Sequence, residues 1–404
     1  MPLQTKRFLD YRSVIEPELY DEIIGLAGKL KGARILHLNA TAHGGGVAII
    51  LRSLLPLVRD LGIKVNWRII DPTNEEFFVA TKTLHNSLQG AKTTLTNRQW
   101  ALYEMQNRLF AAKIQPINWD YIMIHDPQPA AMRQYTAEGT AKWVWRCHID
   151  LSQPNPQTKK RFIRYLDGYD GAIFTLKDYV LSSMPPTKTT IMPVAIDPLD
   201  DKNRSISPAE ARMTVAGYGI DLNKPLIVQI SRFDPWKDQP GVVAAWRLAK
   251  RKIPDLQLVL MGDAASDDPE GSSVLEQVMS EVKNDQGVNI ITDTNDLAVN
   301  AFQTVANVVL QKSIREGFGL TVAEALWAKT PVIGGAVGGI PTQIKDGKNG
   351  YLVTTPAQAA ARIVELIKNP LKAQRMGQWG HDYVRRHFLL PRLLRDELKF
   401  LLKL

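Results

Sequence analysis

One cysteine, Cys147, is all the thiol that the 404 residues contain. No disulfide can close within the chain, and the sequence suits a reducing cytoplasm. No apolar run reaches the roughly 18 residues that a membrane span requires. The first twenty residues are broken by Asp10, Glu16, Pro17 and Glu18 and hold no apolar core followed by small residues, so a soluble protein without a secretory leader is expected. The net charge of +9 invites a nucleic-acid reading, but zinc-finger spacing, an RRM aromatic signature and a long basic arm are all missing. The basic residues are scattered. Their densest cluster, "KKRFIR" at 159–164, reads as a solvated helix face, and a general positive excess suits an anionic small molecule equally well.

What is present is alternation. At 404 residues the chain exceeds the roughly 250–300 at which a single core stops growing, so two domains are expected. "ARILHLN" (33–39) reads as a buried strand, "ATAHGGG" as a turn, and "VAIILRSLLPLVRDLG" as a helix with Val47, Ile50, Leu51, Leu54, Leu55, Val58 and Leu61 on one face and a kink at Pro56. "KVNWRII" (64–70) is a second strand, and "TNEE" (73–76) a capping box before a further helix. Further strands are "YIMIHD" (121–126), "KWVWRCHID" (142–150), "GAIFT" (171–175) and "TTIMPVA" (189–195). Residues 196–208, "IDPLDDKNRSISP", are polar and aperiodic, as an interdomain linker is. The alternation restarts with "PLIVQIS" (225–231), "LQLVLMGD" (256–263), "VNIITD" (288–293), "NVVLQKS" (307–313) and "PVIGGA" (331–336). The expected fold is α/β: two doubly wound Rossmann-like domains facing across a cleft, with ligands beyond the carboxyl ends of the strands.

Several strand ends carry chemistry. "HGGG" (43–46) lies between a strand and a helix, where glycines admit a close ligand and free amides favour an anion; a plain tight turn is the alternative. It is not GxGxxG and lacks the acidic residue about 20 positions on that a dinucleotide needs. In "SRFDPWK" (231–237), Arg232 and Lys237 can converge on a diphosphate or simply be surface charge. In "SIREGFGLTVAEALW" (313–327), Glu316 and Glu324 bracket a glycine turn. Carboxylates accept hydrogen bonds from hydroxyls, and a nucleotide sugar offers two separated sets, while the amides of Leu320 and Thr321 can take phosphate oxygens between them. A capping carboxylate and a surface residue are the alternative. The loops "HDPQP" (125–129) and "HIDLS" (148–152) offer Asp126, Gln128 and Asp150 to a neutral hexose, or serve as turn formers. "SDDPE" (266–270) reads as a surface turn in preference to a metal site.

The E-GFGLTVA-E spacing, "SRFDPWK" and "GGG", in order, resemble the retaining GT-B glycosyltransferases of family four. "NATAHGGGVA", "IHDPQPAA", "WRCHIDLS", "IMPVAIDPL", "QISRFDPWK", "DDPEG" and "SIREGFGLTVAEALW" look like its trehalose glycosyltransferring synthases, over about residues 10–390. The resemblance implies an N-terminal acceptor domain at 1–198, with a helix at 385–404 returning to it past Pro391, and a nucleotide-sugar domain at 199–384. It implies that Arg232 and Lys237 hold the donor diphosphate, and that Glu316 contacts the donor glucose and Glu324 the ribose. Gly44, Gly45 and Gly46 would lie against the donor phosphate, the turn Gly317, Phe318, Gly319, Leu320 and Thr321 would flank the donor, and His148 would sit near the reacting carbon. Asp126, Gln128, His148 and Asp150 would face the acceptor.

The best-placed nucleophile for a double displacement, Glu316, is assigned by the resemblance to hydroxyl binding. Front-face substitution is therefore expected, with Arg232, Lys237, Glu316 and His148 as the catalytic set. The resemblance implies a UDP-, ADP- or GDP-glucose donor and a glucose acceptor, or trehalose and a nucleoside diphosphate in reverse. It implies no metal and no required cofactor, although Mg²⁺ can stimulate by pairing with free nucleotide, and it leaves room for a homo-oligomer. Rival expectations are a retaining trehalose phosphorylase, a family-four transferase with another acceptor, and a sugar-nucleotide-binding regulator with a degenerate site.

Overall fold

The computed structural model describes residues 5–41, 46–70, 75–182, 184–262 and 269–404. It divides into two compact units, Met1–Val194 with Leu390–Leu404, and Ala195–Leu389. Each is built on one six-stranded parallel sheet.

The first sheet contains β1 (Arg34–Asn39), β2 (Lys64–Ile69), β3 (Tyr121–His125), β4 (Lys142–Cys147), β5 (Gly171–Phe174) and β6 (Thr189–Ile191) in the order β2-β1-β3-β4-β5-β6. The second contains β7 (Leu226–Ile230), β8 (Gln257–Met261), β9 (Val288–Ile291), β10 (Val308–Gln311), β11 (Val332–Gly335) and β12 (Gly350–Val353) in the order β12-β11-β10-β7-β8-β9. All strand pairs are parallel, and the central strands are buried on both faces, which is why they read as continuous apolar runs. The strand order reverses between β1 and β3 in one sheet and between β7 and β10 in the other. Crevices of doubly wound sheets open at the carboxyl ends of such strand pairs.

The helix Gly46–Asp60 buries Ile50, Leu51, Leu54, Leu55 and Val58 on the face expected for it and carries Pro56 inside. Thr73 and Asn74 of the expected capping box lie outside the described residues; a capping box forms instead at Thr96 and Gln99, opening the helix Asn97–Ala111. The strand β12 was not expected, since Gly350 leads a run of only four residues.

The segment 196–208 differs from a linker. The unit boundary falls just before it, and its polar groups are hydrogen-bonded into the second unit. Asn203 Nδ2 donates to the Asp197 carbonyl (2.9 Å), Asn300 Nδ2 to the carbonyls of Asp201 and Arg204 (2.9 Å each), and Trp327 Nε1 to that of Asn203 (2.9 Å). Its backbone is thus packed against the second unit, while Asp201, Ser205 and Ser207 are exposed.

After the helix Pro370–His387 the chain turns at Phe388 and Leu389, and the helix Leu390–Leu401 joins the first unit. Its Arg392 donates to the carbonyls of Pro193 (2.8 Å) and Val194 (3.0 Å). Its Glu397 meets Arg146 of β4 at 2.7 Å, both side chains 2% exposed. In the basic cluster at 159–164, Lys160 and Arg164 are exposed, while Arg161 pairs with Glu104 at 2.9 Å and lies over the Trp100 ring.

Candidate active site

In the second unit the site residues gather where β7 and β10 end side by side. Beyond β7 the chain forms the one-turn helix Pro235–Lys237, with Asp234 accepting from the Trp236 amide at 2.8 Å. Gln229 donates to the Lys237 carbonyl at 2.8 Å, so the lysine springs from a fixed turn. Its Nζ reaches Glu316 Oε2 at 2.6 Å, and the same oxygen accepts from Ser313 Oγ (3.2 Å) and Gln311 Nε2 (3.3 Å). Arg232 reaches Asp234 at 3.4 Å and remains about half exposed. Two cations thus stand at the carboxyl edge of the sheet, each beside a carboxylate: Arg232 by Asp234 and Lys237 by Glu316.

Gly319 holds a left-handed backbone, φ 83°, before the helix Leu320–Trp327, a conformation that strains residues with a Cβ. No side chain caps that helix, so its first-turn amides of Leu320 and Thr321 suit an anion. Thr321 Oγ1 donates to the Ile230 carbonyl at 3.2 Å, tying the helix start to the end of β7. Gln343 donates to the Phe318 carbonyl at 2.5 Å, and the Gly339 amide to that of Gly317 at 3.0 Å. A Cβ on Gly339 would approach Phe318 Cα to 2.7 Å, so close backbone packing fixes the turn.

Glu324 points elsewhere. Its side chain is 2% exposed, with Oε1 3.1 Å from Lys202 Nζ and Oε2 accepting from Gln303 at 3.4 Å. Burial alone lowers the Lys202 ammonium, but the charge and hydrogen bond of Glu324 outweigh it and hold the group above its usual value. Glu324 is thus one half of a lysine–glutamate pair and not a bare carboxylate. Lys202, in the segment read as a linker, is the more accessible member.

In the first unit three histidines stand in line across neighbouring strands. His37 of β1 approaches His125 of β3, Nδ1 to Nε2, at 3.1 Å, and His125 Nδ1 approaches His148 Nε2, just past β4, at 3.0 Å. His37 and His125 are fully buried; His148 is partly exposed. Burial first, and the Arg146 charge after it, holds His37 at about 3 and His148 well below the imidazole range; burial and the neighbouring rings do the same to His125. All three are neutral at pH 7. The family resemblance marks His148 alone; a histidine inside β1 and another ending β3 were the available signal.

Asp126 has a left-handed backbone, φ 63°, and its Oδ1 accepts from the His148 amide at 2.7 Å. Gln128 Oε1 is buried without a partner among the described residues. Asp150 is 7% exposed and accepts from the Ser152 amide at 2.8 Å, a turn-forming bond. Gly44 and Gly45 lie outside the described residues, as do Ser266 to Asp268 of "SDDPE"; Gly46 is the first residue of its helix. Among the described residues no group of His, Cys, Asp or Glu is placed to hold a metal ion, and no helix is long and apolar enough to cross a membrane. The Cys147 thiol donates to the Ile149 carbonyl, and burial raises it well above its usual value, so it is not a nucleophile.

Burial pushes the Asp126 carboxyl up to about 7, against the His148 amide and Arg146, which pull it down. An unfolded aspartate titrates near 3.9. The folded state holds the extra proton between these values, so this residue's contribution to stability falls as pH rises from about 4 to 7 and is constant above. Asp126→Asn, which tolerates the same backbone, is expected to match the parent near pH 4 and to exceed it at pH 8 by about 1–2 kcal/mol, discounted for partial exposure. Thermal unfolding of both proteins across this range checks it; a gap independent of pH contradicts it.

Likeness to known proteins extends through both units. Residues 37–181 match the model of the trehalose synthase N-terminal domain, and residues 214–382 that of group 1 glycosyl transferases. The chain is 45% identical to a trehalose synthase of Rubrobacter xylanophilus, covering 99% of this chain and 97% of the relative. It is 42% identical to one of Thermococcus litoralis, covering 98% and 97%. A trehalose phosphorylase of Pleurotus pulmonarius is 28% identical over 93% of this chain and 58% of its own length. Among solved structures, a trehalose-6-phosphate synthase, OtsA, superposes with a TM-score of 0.74 at 14% identity, covering 92% of this chain and 99% of that one. The Anabaena protein HepE, in complex with UDP and glucose, does so with 0.67 at 16%, covering 92% and 99%. These structural likenesses identify the GT-B fold. One matched domain falls in each sheet unit and identity exceeds two-fifths along nearly the whole of both chains, so the chain belongs to the trehalose synthase family of GT-B glycosyltransferases.

Proposed function

We propose that the protein transfers glucose from a nucleoside-diphosphate glucose to free glucose, with retention, forming α,α-1,1-linked trehalose in a reversible reaction. The observation that carries the reading is the 45% identity, through 99% of the chain, to a protein named trehalose synthase. The solved complex of HepE with UDP and glucose supports a nucleotide-sugar donor. Arg232 and Lys237 receive the diphosphate together with the amides of Leu320 and Thr321. Glu316, anchored by Lys237, Ser313 and Gln311, accepts from hydroxyls of the donor glucose. The ribose meets the Glu324–Lys202 pair. His148 contacts the donor sugar, and Asp126, Gln128 and Asp150 are assigned to the acceptor side.

The C1–O bond to the diphosphate breaks through an oxocarbenium-like state while the acceptor's anomeric hydroxyl bonds to C1 on the same face. Its proton passes to the departing phosphate oxygen, and Arg232 and Lys237 neutralise the charge that accumulates there. No metal is assigned a role; Mg²⁺ can pair with the released nucleotide. The protein is assigned to the cytoplasm.

The test is NMR of the anomeric region during incubation with UDP-glucose or ADP-glucose and free glucose. A symmetric α,α-linked disaccharide is the expected product. Donor consumed without that signal moves the acceptor elsewhere, and trehalose formed only from glucose 1-phosphate makes the enzyme a phosphorylase.

A further inference from the structure

The two histidine contacts constrain each other. His125 is neutral and so carries one ring hydrogen, yet it faces a ring nitrogen on each side, at 3.1 Å and 3.0 Å. Each contact needs one donor and one acceptor. If His125 donates to His148, it must accept from His37; if it accepts from His148, it must donate to His37. The line of three rings therefore has only two consistent hydrogen arrangements, running in opposite directions.

The buried end distinguishes them. His37 Nε2 is buried with no partner among the described residues. In one arrangement it is a bare lone pair. In the other it is an N–H buried without an acceptor, and orphaned donors are rarer in folded proteins than under-satisfied acceptors. The surviving arrangement runs from His37 Nδ1–H to His125 Nε2, then from His125 Nδ1–H to His148 Nε2. The hydrogen of His148 is left on Nδ1, the nitrogen not spent on His125.

We propose that His37 and His125 are positioning residues that lock His148 in its Nδ1–H tautomer, so that it offers the sugar a hydrogen-bond donor and not a base. The assignment of the partner as a sugar hydroxyl rests on the function proposed above; the tautomer lock rests on the ring contacts, the neutrality of the buried rings and the orphaned His37 Nε2. A donor at this position suits a reaction in which the phosphate leaving group takes the acceptor proton, since an exposed imidazole lone pair would compete for it.

The test has two readouts. Long-range proton–nitrogen NMR of the full-length protein, with its seven histidines labelled in nitrogen-15 and assigned by single substitutions, reports the tautomer without substrate. Hydrogen on His148 Nδ1 at pH 7 is expected, and hydrogen on Nε2, or a charged ring, overturns the proposal. Kinetics then compares His37→Phe, which cannot donate to His125, with His37→Asn, whose amide can. The Phe variant should lose on the order of tenfold in kcat, the scale of one neutral hydrogen bond made in the transition state. The Asn variant should recover to within about threefold, with both showing similar thermal midpoints. Equal losses in both variants, or no loss in the Phe variant, also overturn it. If no donor supports glucosyl transfer, the proposed reaction fails, and the NMR result alone judges the lock.

Discussion

Lys237→Ala is expected to lower kcat for glucosyl transfer by about 10²–10³-fold, the range seen when one preorganised donor to a developing oxyanion is removed. The lysine's turn is held before substrate arrives, by the Gln229 bond to its carbonyl and by Asp234 beneath Trp236. Little reorganisation is then needed as the diphosphate gathers charge. Folding should largely survive, because Glu316 keeps its bonds from Ser313 and Gln311 and is not left as an uncompensated buried carboxylate. Arg232→Ala should lose at least about tenfold, and less than the lysine variant, since its half-exposed side chain acts through more water. Steady-state kinetics beside thermal unfolding checks both, and a well-folded alanine variant with parental kcat would contradict the leaving-group role.

The largest effect on stability is expected at a position far from Lys237 in sequence. Glu397→Ala leaves the Arg146 guanidinium buried without its counter-charge, a change that costs about 3–5 kcal/mol in comparable pairs. Burial already lowers Arg146 and raises Glu397 from their usual values despite their mutual attraction, so desolvation is severe for both. The pair itself is a different matter: Arg146→Met with Glu397→Leu should lie close to the parent, because the attraction and the desolvation nearly cancel. Hydrogen exchange of the β4 amides measures this locally. Equal protection in the parent and in Glu397→Ala would contradict it.

These two positions also show what a sequence makes legible. The strands of both sheets announce themselves because burial on both faces demands apolar runs, and "SRFDPWK" and "SIREGFGLTVAEALW" sit at strand ends where doubly wound sheets keep their chemistry. β12 escaped because four residues led by a glycine make no periodic signal. The partner of Arg146 escaped because it is 251 positions away, and a charge in an apolar strand says that a partner exists without saying where. The segment 196–208 misled because polarity marks backbone groups bonded to protein as readily as groups bonded to water. His37 and His125 look like isolated residues until strand order makes them neighbours of His148. Lys202 went unremarked for the same reason, its meaning supplied only by the helix that carries Glu324.

The return of the helix Leu390–Leu401 to the first unit has a consequence in time. A ribosome adds about 5–20 residues per second, so the stretch Ala195–Leu389 separates the completion of β6 from the emergence of Glu397 by roughly ten to forty seconds. Throughout that interval the nascent first unit holds Arg146 without its carboxylate, while the second unit is contiguous and can mature as it appears. The half of the protein that is made first is thus the half that finishes last.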